Sequence, residues 1–179
     1  MKKHSLLFIE DGMGFGGAVV CISNILSVLN RDEFGLFVIT THKDVATREI
    51  FEKLRVSFKY VKYFHRPKIF SSLISKAACL GPAVKIPIIL FVTLIDLVLN
   101  IPFMIKVVYY AHRTHADLVI SNNLIDLTEI IAAKLSGKPF VVHLRCNQYA
   151  SVLTKFFIKH VYVFIAISEY LRPPLKIQF

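Results

Sequence analysis

Hydrophobic and polar positions along the chain fall into two alternating rhythms. Ser5 to Glu10 (SLLFIE) is a short apolar run closed by two acids, Glu10 and Asp11. Four glycines follow within six residues, and then apolar side chains recur at Ala18, Ile22, Ile25, Leu26 and Leu29, one face of a helix. Strand, glycine loop and helix are predicted in that order. FGLFVITT (34–41) reads as a second strand, apolar enough to be buried on both faces. Asp44 is placed to cap a short helix running through Leu54, and VSFKYVKY (56–63) alternates as a third strand. After residue 115 the same rhythm returns. ADLVIS (116–121) is a fourth strand, and Asp126 and Glu129 have capping-box spacing for a helix that Gly137 ends. FVVHLR (140–145) and YVFIAIS (162–168) give strands five and six. Strands separated by helices at this pace predict a single α/β domain over 1–179, a Rossmann-like, doubly wound parallel sheet.

The middle of the chain departs from this rhythm. From Lys53 to Ile95 there is no acid, while Lys53, Arg55, Lys59, Lys62, Arg66, Lys68, Lys76 and Lys85 are basic. Overlapping its end, Ile86 to Ile105 is almost wholly apolar, the centre of an apolar and basic segment spanning 66–112. Twenty helical residues reach about 30 Å, enough to cross a bilayer. Crossing is disfavoured, because Asp96 would sit near the centre, Pro102 would interrupt the helix, and strands of one sheet lie on both sides. Two readings remain open: a long helix packed on the sheet, or a helix lying on a membrane with the lysines against anionic headgroups. The coincidence of lysines and apolar run favours a peripheral membrane protein on the cytoplasmic, inner face.

Composition agrees with this picture and narrows the partners. The 179 residues are 55% hydrophobic with a formal charge of +10, which favours anionic partners. Nucleic acid is not among those expected, since no recognised binding motif accompanies the lysines and they are spread among aliphatics. Cys21, Cys79 and Cys146 are odd in number and far apart, which predicts reduced, buried thiols with neither metal spacing nor a disulfide framework. The apolar run near the N-terminus is too short for a signal peptide.

The chemistry centres on the glycine loop. Gly12, Gly14 and Gly17 fit G-x-G-x-x-G between a strand and a helix, a setting for phosphate at a helix N-terminus. A dinucleotide site also needs an acid for the ribose, and Asp44 is the sole candidate. An oxidoreductase domain is thereby disfavoured. Asp11, Asn122, His143 and Ser168 each follow or end a strand, so they should gather on the carboxyl rim where open α/β sheets bind ligands.

With these residues placed, the chain resembles the N-terminal domain of GT-B glycosyltransferases of the retaining family 4 type. Four pieces carry the resemblance: FIEDGMGFGGA, ADLVISNN, AAKLSGKPFVVHLR and FIAISEYLR. The resemblance implies that Gly16 and Gly17 approach the donor diphosphate and that His143 faces the sugar. It places Asp11 beside the reacting groups, and Asn122, Arg145, Ser168 and Glu169 on the acceptor side. No metal is implied, and no cofactor other than a nucleotide sugar as co-substrate. The implied acceptor is a lipid-linked or cell-surface polysaccharide. Val19 stands where the family often has Glu or Gln, and Leu144 and Arg145 follow the histidine where an acid is common. The chain ends at RPPLKIQF, where the linker towards a donor-binding domain would begin. The expectation is therefore an acceptor-side half, inactive alone and joined or complemented by a separate C-terminal donor domain. The alternative is a non-catalytic, membrane-associated binding module or a subunit of a split transferase.

Overall fold

Strand β1 (His4–Glu10) lies at the centre of the sheet and is buried from Leu6 onward. A computed structural model describes residues 3–12, 15–66, 70, 72, 76, 81–122, 125–145 and 152–166. Among them β1 is joined by β2 (Phe34–Thr40), β3 (Ser57–Tyr60), β4 (Leu118–Ser121), β5 (Phe140–Leu144) and β6 (Val163–Ala166). All neighbours pair in parallel, in the order β3-β2-β1-β4-β5-β6. The chain winds outward from β1 in one direction and then returns to wind in the other. The gap between β1 and β4 is thus the topological switch point, where loops diverge and leave a crevice.

Alternation along β1 explains the two layers of helices. Leu6 and Phe8 pack with Ile22 and Leu26 of α1 (Gly17–Val28) and Phe51 of α2 (Val45–Lys53). Leu7 and Ile9 face the opposite side, against α4 (Ile101–Arg113) and α5 (Leu127–Ser136). Both helix starts foreseen from polar caps are present. Asp44 accepts from the Thr47 amide at 2.8 Å, and Asp126 accepts from Thr128 and Glu129 at 2.7 and 3.2 Å. Gly137 ends α5 in the left-handed region at φ 66°, which favours glycine. The capping-box analogy fails on its second arm. Glu129, which a box would turn back towards the Asp126 amide, is fully buried.

The apolar middle is not one long helix. α3 (Pro82–Leu99) and α4 meet at Asn100 with a bend of 53°, and no single described helix is long and apolar enough to cross a membrane. Pro102 accounts for the break, since its ring cannot continue a helix whose preceding turn is complete. Asn100 secures it. Its side chain accepts from the Phe64 amide at 2.8 Å and donates to the Phe64 and Asp96 carbonyls at 3.1 and 3.0 Å. α4 behaves as a core helix and buries Phe103, Met104, Val107 and Ala111. α3 does not. Ile86, Leu90, Phe91, Leu94 and Val98 are all exposed, and Val92 and Thr93 are its buried positions. A short helix α6 (Val152–Phe157) and a 3₁₀ turn (Ile158–His160) lead into β6.

Candidate functional site

At the carboxyl end of β1 the chain turns through Glu10, Asp11 and Gly12, all buried. Glu10 shares the α1 side of the sheet with Leu6 and Phe8 and is 0% exposed. Its two carboxylate oxygens are both used. The Gly12 amide donates to Oε1 at 3.2 Å, and Asn122 Nδ2 donates to Oε2 at 2.7 Å. Burial raises the pKa of this carboxyl above its ordinary value, against the pull of these two bonds and of Arg145. A Cβ at Gly12 would stand 2.8 Å from Glu10 Oε1, so a larger residue there would make the glutamate carboxylate shift.

The glycine loop opens α1 without a side-chain cap. Gly16, in extended conformation, precedes Gly17, and the first intrahelical bond runs from the Val20 amide to the Gly16 carbonyl at 3.1 Å. Amides ahead of Val20 have no carbonyl within the helix, and unpaired amides at a helix start suit an anion. Arg145, just past β5, reaches across and donates to the Gly17 carbonyl at 2.5 Å. The guanidinium therefore braces the loop directly.

Asn122 links the two halves of the sheet. It follows β4, is 1% exposed, and besides Glu10 it bonds the Ala18 carbonyl at 3.0 Å. Its remaining amide atom faces His143 Nδ1 at 3.1 Å. His143 sits in β5 and is 8% exposed. Burial, with the positive Arg145 nearby, lowers its pKa, so the ring is neutral at pH 7. Glu10, Gly17, Ala18, Asn122, His143 and Arg145 are thus linked around the switch point, with Asp11 and Gly16 beside them in the chain and Asp11 also close enough to Glu129 to act on it. Ser168 and Glu169 lie outside the described residues, as does the Gly14 member of the glycine pattern.

Two features of the site were missed from the sequence. Glu10 looked like the polar end of a strand, and nothing in its spacing marked it as the buried anchor of the rim. Glu129 looked like a cap. It is buried on the opposite face, where desolvation first, and then the charges of Asp11, Asp126 and Glu10, push its pKa well up; the Ser121 hydroxyl works the other way. Among the described residues, no group of three His, Cys, Asp or Glu side chains is arranged to hold a metal ion. Cys21, expected to be buried, is a half-buried free thiol.

The basic stretch also resolves in part. Arg66 forms an ion pair with Asp96, so it is not a free cation. Lys62 and Lys106 line a cavity of about 290 Å³ with Tyr60, Val61, Pro102 and Tyr110, between the end of β3 and the start of α4. Lys68 lies outside the described residues.

No protein-family model matches the chain, and no curated protein matches it in sequence. Solved structures do. A glycosyltransferase from Rickettsia africae ESF-5 aligns at a TM-score of 0.63 and 10% identity over 98% of this chain. MurG of Acinetobacter baumannii aligns at 0.54 and 14% over 92%, and the Streptomyces glycosyltransferase SsfS6 at 0.52 and 13% over 88%. The chain spans 39%, 41% and 44% of the respective lengths of those three proteins. At such identities the likeness concerns architecture alone, and the architecture of this chain is the Rossmann-like parallel-sheet fold of GT-B glycosyltransferase domains.

Proposed function

We propose that the chain is the acceptor-side half of a glycosyltransferase, moving a sugar from a nucleotide donor to a lipid-linked or cell-surface polysaccharide acceptor. One observation carries this reading: the glycine loop, the open start of α1 and the buried histidine converge at the switch point of a fold shared with glycosyltransferases. The amides around Gly16 and Gly17 supply donors for a diphosphate, and Arg145 holds their loop in place. His143, neutral and held by Asn122, and Asp11, at the mouth of β1, would be the groups nearest the reacting sugar. Arg145, Ser168 and Glu169 would border the acceptor, and the buried Asn122 would stand behind His143 on that side. Catalysis in this reading is mainly alignment and stabilisation of charge on the leaving diphosphate. The retaining, family 4 type of transfer belongs to the same proposal, as does a separate C-terminal donor domain to grip the nucleotide. Purified alone, the chain should turn over no nucleotide sugar. Supplied with a GT-B donor domain, it should transfer labelled sugar to a lipid extract, and His143→Ala should abolish that transfer. Turnover by the chain alone, lost on His143→Ala, would overturn the division into halves. Transfer indifferent to the substitution would remove the histidine from the reaction.

A second reading, a membrane-associated binding module at the cytoplasmic inner face, is favoured by the exposed apolar side of α3. Ile86, Leu90, Phe91, Leu94 and Val98 face outward there, and the Lys62–Lys106 cavity opens at the neighbouring α4 start. Anionic headgroups would meet the lysines while the aliphatics enter the interface. Each basic side chain contributes about 1 kcal/mol near such a surface, so replacing Lys62 and Lys106 by Ser should cut binding to phosphatidylserine vesicles roughly 30-fold. Added salt should weaken the wild type similarly, and Leu94→Ser should reduce what salt leaves behind. Equal sedimentation with neutral and anionic vesicles at every salt concentration would sink the electrostatic part. A folded chain that bound no vesicle would sink the whole.

A further inference from the structure

Asn122 has a hydrogen-bonding pattern that admits one orientation. One of its amide atoms lies 2.7 Å from Glu10 Oε2 and 3.0 Å from the Ala18 carbonyl. The glutamate oxygen could be protonated and could then donate. A backbone carbonyl can only accept, so the atom between them must be the amide nitrogen. The other amide atom is therefore Oδ1, an acceptor without a proton, and it lies 3.1 Å from His143 Nδ1. Two acceptors do not hydrogen-bond, so the proton of the neutral ring has to be on Nδ1. Free imidazole in a histidine side chain prefers the opposite form, with the proton on Nε2.

We propose that Asn122 is a positioning residue that holds His143 in its Nδ1–H tautomer and leaves Nε2 as the ring's lone-pair acceptor. Three parts of the fold make this hold firm. Glu10 fixes the Asn122 nitrogen from β1, the Ala18 carbonyl fixes it from α1, and both Asn122 and His143 are buried. The amide cannot rotate without placing its oxygen against the Ala18 carbonyl. In the transferase reading, on which this use of the ring rests, Nε2 accepts a proton or hydrogen bond from a sugar or acceptor hydroxyl. With the other tautomer, the same nitrogen could only donate. Asn122 would thus decide whether the histidine acts as acceptor or donor, without touching substrate itself.

The test needs neither donor nor acceptor. Long-range ¹H–¹⁵N spectra of the ¹⁵N-histidine-labelled chain, recorded above the titration of His143, report the tautomer directly. The expected result is a pyrrole-like Nδ1 and a pyridine-like Nε2 for His143. In Asn122→Ala the two shifts should exchange character, with Nε2 becoming the protonated atom, while the remaining histidines keep their positions. A wild-type His143 carrying its proton on Nε2 overturns the proposal, and so does a folded Asn122→Ala variant with unchanged His143 shifts. If the variant fails to fold, the wild-type spectrum alone decides. A correct tautomer in a chain that supports no sugar transfer even when a GT-B donor domain is supplied would count against the transferase reading and leave this assignment standing.

Discussion

Glu129→Gln is expected to stabilise the protein at neutral and alkaline pH, by a margin that widens as the pH rises. Glu129 is 0% exposed and stands in the field of Asp11, Asp126 and Glu10. Folding therefore raises its pKa well above the ordinary 4.5. The sign follows from proton counting. Above pH 4.5 the unfolded chain has lost this proton and the folded chain retains it, so deprotonation pulls towards unfolding. The wild type should lose about 1.4 kcal/mol of stability per pH unit from this group, until the pH reaches the raised folded value. Glutamine has the same shape and no proton to lose, so it removes that slope. Urea unfolding of both proteins between pH 4 and 9 should give curves that coincide at the acid end and diverge above it. Parallel curves would mean that Glu129 ionises in the folded protein as it does in the unfolded one.

The opposite outcome is expected at Glu10, although it too is a buried carboxyl with a raised pKa. Glu10→Leu should destabilise by about 2–4 kcal/mol. It would strip partners from two buried donors, the Gly12 amide and one Asn122 N–H, and each unsatisfied donor costs about 1–3 kcal/mol. Relief from burying the carboxyl trims the upper end of that range. Glu10→Gln should fall between, since its single oxygen can serve one of the two donors. Urea midpoints for the three proteins test the order. A leucine variant as stable as the wild type would show that the rim does not depend on this anchor. The two carboxyls differ because one satisfies its neighbours and the other is surrounded by charges of its own sign.

Periodicity made the sheet and its helices legible, because burial on one or both faces writes itself into the spacing of apolar residues. Gly137, Asp44 and Asp126 marked their helix ends through local backbone chemistry. The rim was legible only as a set of polar residues after strands. Which of them touch depends on contacts between residues more than a hundred apart, such as Asn122 with Glu10, and no local pattern encodes such a pair. The middle misled for a related reason. Ile86 to Ile105 looks uniform in hydropathy, whereas its path is set by one proline and by Asn100 bonding to a loop 36 residues earlier. The same distance effect hid the pairing of Arg66 with Asp96.

The bend at Asn100 has a mechanical meaning. Because the asparagine grips Phe64 on both its amide and its carbonyl, α3 is clamped to the chain just beyond β3 as well as to α4. Were α3 to bed into lipid, the clamp would act as a spacer of fixed length between the bilayer and the crevice at β1 and β4. An acceptor anchored in that bilayer would then be met at one height, and its reach above the lipid would become a criterion of selection.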